Sequence, residues 1–234
     1  MVFFNLFKTY FLKFYGVFLD SDIADMGKQL PENEPAILAI NHTTGSDPIV
    51  LQATLDLRIF FLITGARYKN KFTRFFFNNF ADCVPVYVGV KAENLSSMKR
   101  IFKLLKEKRV IGIFPEGDYR KRLKARKVFN GAAFIAYKSK VPIYPVYIHN
   151  ISEGLNPESK LHRSDVFEGI LTLITNLFRY IQVFIGDPIY VNKPDGISDT
   201  AFFNQISACI SFEMDRLMEI AKNQDREVEV KVTG

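Results

Sequence analysis

Six short apolar runs constrain this chain more than any other feature. EPAILAIN (34–41), RIFFLI (58–63), DCVPVYVG (82–89), RVIGIF (109–114), VPIYPVYI (141–148) and YIQVFIG (180–186) are each bounded by Gly, Pro or charge. Apolar runs of this length with little polar alternation read as strands buried on both faces. Between them, DPIVLQATL, KNKFTRFFFNNF, ENLSSMKRIFKLLKEK and KVFNGAAFIAYKS have the lengths and apolar spacing of helices, and residues 163–179 and 199–222 add two more. This alternation predicts an α/β fold, a mostly parallel sheet flanked by helices. No repeat, low-complexity tract or linker divides the 234 residues. The chain therefore reads as an N-terminal helix over 1–20, one domain over 21–222 and a tail over 223–234. The tail, DREVEVKVTG, alternates apolar and charged residues and either adds an edge strand or frays.

The first residues, MVFFNLFKTYFLKFYGVFLDSD, have the apolar flavour of a signal peptide or a membrane span. Lys8 and Lys13 interrupt them and no small-residue cleavage site follows, so the segment is expected neither to direct export nor to cross a bilayer. On a helical wheel Phe3, Phe4, Leu6, Phe7, Tyr10, Phe11, Phe14, Tyr15, Val17 and Phe18 share one wide arc. Asn5, Lys8, Thr9, Lys13 and Gly16 share the other, with Leu12 and Leu19 as exceptions. Such a pattern suits an amphipathic helix lying at a membrane surface, or one docked on the protein's own core, and one helix can use an edge for each. ARYKNKFTRFFFNNF (66–80) repeats the mixture of cations and phenylalanines, which attracts anionic headgroups. The formal net charge of +6 also admits nucleic acid as a partner, but no helix-turn-helix, zinc-finger or RNP-type pattern accompanies it. Membrane lipid is the expected partner, nucleic acid is not, and the oligomeric state is left open. Cys83 and Cys209 lie far apart, outside any C-x-x-C spacing, so neither a disulfide framework nor a metal site is indicated and a reducing compartment fits.

In parallel sheets ligands gather beyond the carboxyl ends of the strands. Three exits carry chemistry: Asn41 and His42 after EPAILAI, Pro115, Glu116 and Gly117 after RVIGIF, and His149 and Asn150 after VPIYPVYI. Asp47 followed by Pro48 is a good helix start, the carboxylate capping free N–H groups and the proline needing none. His42 can equally be a plain loop histidine. Taken together, Asp47 would accept a hydrogen bond from one imidazole nitrogen and fix the tautomer, leaving the other to take a proton. No G-x-S-x-G elbow, P-loop or G-x-G-x-x-G is present, which argues against a serine hydrolase, a P-loop enzyme or a dinucleotide enzyme. A base without an evident nucleophile points to direct attack by a bound alcohol or water on an activated carbonyl. A thioester is such a carbonyl, since its thiol leaves with a pKa of about 8.5.

NHTTGSD (41–47), FPEG (114–117) and VPIYPV (141–146), with GAAFIAYKSK (131–140) and IGDPIYV (185–191), resemble in order the blocks of the glycerolphosphate and lysophospholipid acyltransferases, typified by 1-acylglycerol-3-phosphate acyltransferase. The resemblance implies that His42 is the general base and Asp47 its orienter, in transfer of a fatty acyl chain from acyl-CoA or acyl carrier protein to a lysophospholipid hydroxyl. No cofactor beyond that co-substrate and no metal is implied. It further implies that Glu116 and Gly117 help bind the acceptor and that Val141, Pro142 and Ile143 line the region near the acyl donor. The expected location is peripheral or monotopic, on the cytoplasmic face of a membrane. Two positions depart from the family. The arginine that follows the strand equivalent to CVPVYVGV is replaced, at Val88 or a neighbour, and the third block reads FPEGDYR rather than FPEGTR. Arg120, with Lys121 and Arg122, would then supply the charge that meets a phosphate, with Asp118 opposing it. The acceptor is accordingly lysophosphatidic acid, another lysolipid, or a hydroxylated lipid without a terminal phosphate. YRKRLKARK (119–127) is the densest cationic run and suits a solvated face, anionic lipid or an acidic acyl carrier protein. A catalytically silent lipid-binding protein on the same scaffold is the alternative from another class.

Overall fold

The sheet is centred on β2 (Ala36–Ile40), in which every residue is buried. Ala36, Leu38 and Ile40 point to one face and Ile37 and Ala39 to the other, so the apolar run has no polar face because neither side meets water. The computed structural model describes residues 2–24, 26, 30, 33–65, 71–79, 81–87, 91–117, 128–150 and 165–233. Within them β1 (Ser21–Ile23), β3 (Ile59–Thr64), β4 (Val84–Val86), β5 (Val110–Ile113), β6 (Ile143–Asn150) and β7 (Ile181–Ile185) join β2 in the order β1-β7-β6-β2-β5-β3-β4. All neighbouring pairs are parallel except β6 and β7. The α/β fold with a mostly parallel sheet, expected from the sequence, is the fold observed.

One face is covered by α1 (Val2–Phe18), α2 (Asp47–Leu55) and α6 (Asp165–Asn176), whose Tyr15, Ile49, Val50, Leu51 and Leu173 pack on the strands, joined by Leu177 just after α6. The other face lies under α4 (Lys91–Lys106), α5 (Gly131–Ser139) and α7 (Asp199–Thr233), through Ile101, Leu105, the alanines of α5, and Phe202, Ile206, Ile210 and Met214. Each of these isoleucines and leucines contributes about 1.5–3 kcal/mol on full burial. A further helix, α3 (Lys71–Asn79), sits beside α1.

Two expectations are corrected. The tail forms no strand, because α7 runs on to Thr233. Once a helix exists, each added residue gains a hydrogen bond without a new nucleus, and Glu and Lys extend it at little expense, so the two-residue alternation loses. The wheel of α1 is also read the wrong way round at its polar edge. Lys8 is 4% exposed, and Gly16 packs against Ala53 of α2, both facing the protein together with Tyr15, Leu19 and the half-buried Phe11 and Leu12. Leu6, Phe7, Tyr10, Phe14, Val17 and Phe18 face outward.

What holds α1 in that rotation is a buried ionic cluster. The Lys8 ammonium donates to Asp82 Oδ2 and to Gln52 Oε1 (3.3 Å), and Arg58 closes on the same carboxylate with Nε to Oδ2 at 3.0 Å and Nη2 to Oδ1 at 2.9 Å. Burial pushes the Lys8 pKa below that of an ordinary lysine, while the Asp82 charge works in the other direction. At the helix's other end the Tyr15 hydroxyl donates to the Leu173 carbonyl of α6 at 2.9 Å.

Candidate active site

The strands bring the three expected exits to one end of the sheet, since β6, β2 and β5 are consecutive neighbours and mutually parallel where they pair. The β2 exit is secured by Asn41, whose side chain donates to the Ile148 carbonyl (3.0 Å) and accepts from the Ile148 N–H (2.7 Å), an extra rung between β2 and β6. His42 follows. Its ring stacks on Phe114 at 4.1 Å between centroids and 19° between planes, and Phe114 stacks in turn on Phe61. Gly112 permits that stack, because a Cβ there would stand 2.6 Å from the Phe61 ring.

Asp47 is the anchor of the loop. Its carboxylate is buried and accepts from His42 Nδ1 (2.8 Å), the Thr43 N–H (2.6 Å), the Thr43 hydroxyl (2.6 Å), the Thr44 N–H (3.0 Å) and the Thr44 hydroxyl (2.8 Å). Burial alone would raise its pKa, but the hydrogen bond and charge of His42 and the bonds from Thr43 and Thr44 outweigh it and hold the carboxyl below the usual range. An ionised carboxylate accepts only, so the His42 Nδ1 carries the proton and Nε2 is the nitrogen with the lone pair. The expected helix-capping role is therefore corrected. Ser46 is the N-cap residue of α2, without a side-chain cap bond. Asp47 binds backward to amides that precede the helix, because five donors converge there.

The β5 exit places Phe114 against His42, followed by a turn closed by Gly117 N–H to the Phe114 carbonyl at 3.0 Å. Gly117 has φ +85°, where a side chain is strained, and its Cβ would also press on Phe129. Glu116 is half-buried in that turn with Oε1 inside. Pro142 and Ile143 are not brought to His42. Ile143 begins β6 and Pro142 precedes it; Ile143 pairs with Ile37 and is fully buried, so the five residue steps from Ile37 to His42 put roughly 16 Å of chain between them. His149 turns to the opposite face of the sheet, with Nε2 2.7 Å from Asp225 Oδ2 of α7. Arg120, Asp118, Lys121, Arg122, Val88 and His162 lie outside the described residues.

The acyltransferase family profile matches residues 23–149, more than half of the chain, from the last residue of β1 to His149 in β6. The chain belongs to the acyltransferase family. Among solved structures, the acyltransferase is similar to the 1-acyl-sn-glycerophosphate acyltransferase of Thermotoga maritima, with a TM-score of 0.53 and 16% identity over 89% of this chain and 79% of that one. At that identity the likeness speaks for the fold.

Three residues outside the expected set build the candidate site. Thr43 and Thr44 carry no catalytic signature of their own, yet a Thr-Thr pair ahead of an aspartate is a ready source of four donors. Asn176 had no local signal at all, since it reaches Ser46 across 130 positions of sequence.

Proposed function

We propose that this acyltransferase works at a membrane surface, moving a fatty acyl chain from acyl-CoA or acyl carrier protein to the hydroxyl of a lysophospholipid, 1-acylglycerol-3-phosphate first among them. The observation that carries the reading is the His42–Asp47 contact of 2.8 Å at a strand exit, with the carboxylate ionised and the imidazole tautomer thereby set. In the step it supports, the acceptor oxygen attacks the thioester carbonyl carbon while its proton passes to His42 Nε2. Asp47 stabilises the imidazolium that forms. The tetrahedral intermediate collapses with cleavage of the C–S bond, and the departing sulfur takes the proton from His42. Glu116 and Gly117 sit at the neighbouring exit, where an acceptor headgroup would lie, and Arg120 is the cation proposed for its phosphate.

Support for the membrane comes from two outward faces on the same side of the sheet. On α1, Tyr10 and Phe14 are each 66% and Val17 80% exposed, and Ile170 and Ile174 of α6, with Phe178 in the turn after it, give a second outward apolar surface. The Tyr15–Leu173 bond joins the two helices. Lys71, Arg74 and Phe75 of α3 are exposed near α1, giving cations beside apolar surface. No described helix is long and apolar enough to cross a membrane, which fits attachment from one side.

The test is turnover of labelled acyl-CoA, and separately of acyl carrier protein, with a panel of lysolipids by the purified protein and by His42→Ala. Loss of kcat on the order of 10²- to 10⁴-fold in His42→Ala is expected. Wild-type turnover in that variant would sink the mechanism, and lysolipid binding without product across the panel would support the silent lipid-binding alternative instead.

A further inference from the structure

Helix α6 turns Ile170 and Ile174 outward, with Phe178 in the turn beyond it, while on the side of its inward Leu173 it buries Thr172 and Asn176, at 1% and 2% exposure. A buried amide is unfavourable unless hydrogen-bonded, whereas an apolar side chain in its place would not be. Asn176 therefore needs partners, and it has them. Its Nδ2 donates to Ser46 Oγ at 3.1 Å, and its Oδ1 accepts from Asn150 Nδ2 at 3.3 Å. Ser46 Oγ lies 2.9 Å from Thr44 Oγ1, which lies 2.8 Å from Asp47 Oδ1.

The direction of this chain is fixed by its far end. The ionised Asp47 accepts only, so the Thr44 hydroxyl proton is committed to it. Ser46 must then donate to Thr44, and its own oxygen is left to accept from the one remaining neighbour, Asn176. Every link points toward the carboxylate that sets the His42 tautomer. α6 also comes close to the same loop at Gly169, where an added Cβ would stand 3.8 Å from the Gly45 carbonyl.

From this geometry we infer that Asn176 is a positioning residue for the reaction: as a hydrogen-bond donor from α6 it orders Ser46 and Thr44, and through them holds Asp47 and His42 in register. The inference rests on the reading of His42 as the base. It predicts that donor character at position 176 matters beyond shape. Asn176→Asp keeps the outline but offers only acceptors when ionised, so its loss should be read at high pH, and Asn176→Leu keeps the bulk without polarity.

The experiment measures kcat and KM with oleoyl-CoA and 1-oleoylglycerol-3-phosphate for wild type, Asn176→Asp, Asn176→Leu, Ser46→Ala and Ser46→Ala/Asn176→Leu, alongside His42→Ala. In parallel, NMR of histidine-labelled protein follows the low-field Nδ1–H signal of His42, assigned by its loss in His42→Gln. Both Asn176 variants should lower kcat on the order of 10- to 100-fold with KM little changed. Asn176→Leu should cause no further loss on the Ser46→Ala background, because the link is already cut. The low-field signal should broaden or vanish in Asn176→Leu. Wild-type kcat with an unchanged signal in the Asn176 variants would overturn the inference, and so would full additivity with Ser46→Ala, which marks a packing role. If Asn176→Leu does not fold, Ser46→Ala severs the same link from the loop side and must show the kcat loss and the broadened signal itself. Failure of the acyl-transfer reading looks different: His42→Ala retains turnover, or the wild type turns over no lysolipid while the NMR response to Asn176→Leu persists.

Discussion

Asp47 combines burial with five donors, and its depressed pKa makes a testable statement about acid stability. A carboxyl whose folded pKa lies below its unfolded value contributes stability that is complete above the unfolded value, about 3.9, and is lost as pH falls through the folded one. Urea unfolding midpoints of wild type and Asp47→Asn should therefore differ most near neutrality and converge only well below pH 4. A gap that closes already between pH 6 and 5 would contradict the assignment. At the neighbouring exit, Gly117→Ala should lower stability by about 1–2 kcal/mol, since φ +85° is strained for any Cβ, and a urea titration reads it directly. His42 and Asp47 were legible in the sequence because the loop that joins them is short. Asn176 was not, because only the fold brings its helix over the loop.

At the level of elements, the six apolar runs are legible because burial on both faces leaves few polar positions in them. β1 escaped notice. Its three residues, Ser21–Ile23, carry no apolar run and are strand only because they pair with β7 at the sheet's edge. The rotation of α1 was misread for a related reason: a lysine on a wheel is taken as solvated until its partner is known, and Asp82 is 74 positions away. That partnership can be weighed by mutation. Asp82→Asn tolerates the residue's left-handed backbone, φ 47°, yet strips the charge that pairs Lys8 and Arg58, and is expected to destabilise by roughly 3–5 kcal/mol. Lys8→Met leaves the Arg58–Asp82 pair intact and should be clearly milder. Equal midpoint shifts for the two variants in denaturant would show that the cluster is not organised around Asp82.

For the whole molecule, the proposed membrane attachment would use the outward apolar residues of α1, of α6 and of the turn that follows α6. Phe14→Glu with Phe178→Glu should leave the circular dichroism spectrum and melting point unchanged yet shift the protein to the supernatant when anionic liposomes are sedimented. Undiminished sedimentation of the folded double variant would rule out these faces as the lipid contact. Phe11 is a poor site for the same test, being half-buried and stacked on Tyr15, so a charge there would injure the core instead.

The ionic cluster behind α1 has a consequence for the protein away from lipid. A helix docked by apolar contacts alone could roll and tuck its aromatic side against the core. This one is keyed in place by a buried charge, so Phe7, Phe14 and Phe18 stay outward in buffer. The same molecule in buffer is then its own nearest greasy surface: apparent mass on gel filtration should climb with concentration, fall back on adding a mild detergent, and become insensitive to both in the Phe14→Glu/Phe178→Glu variant.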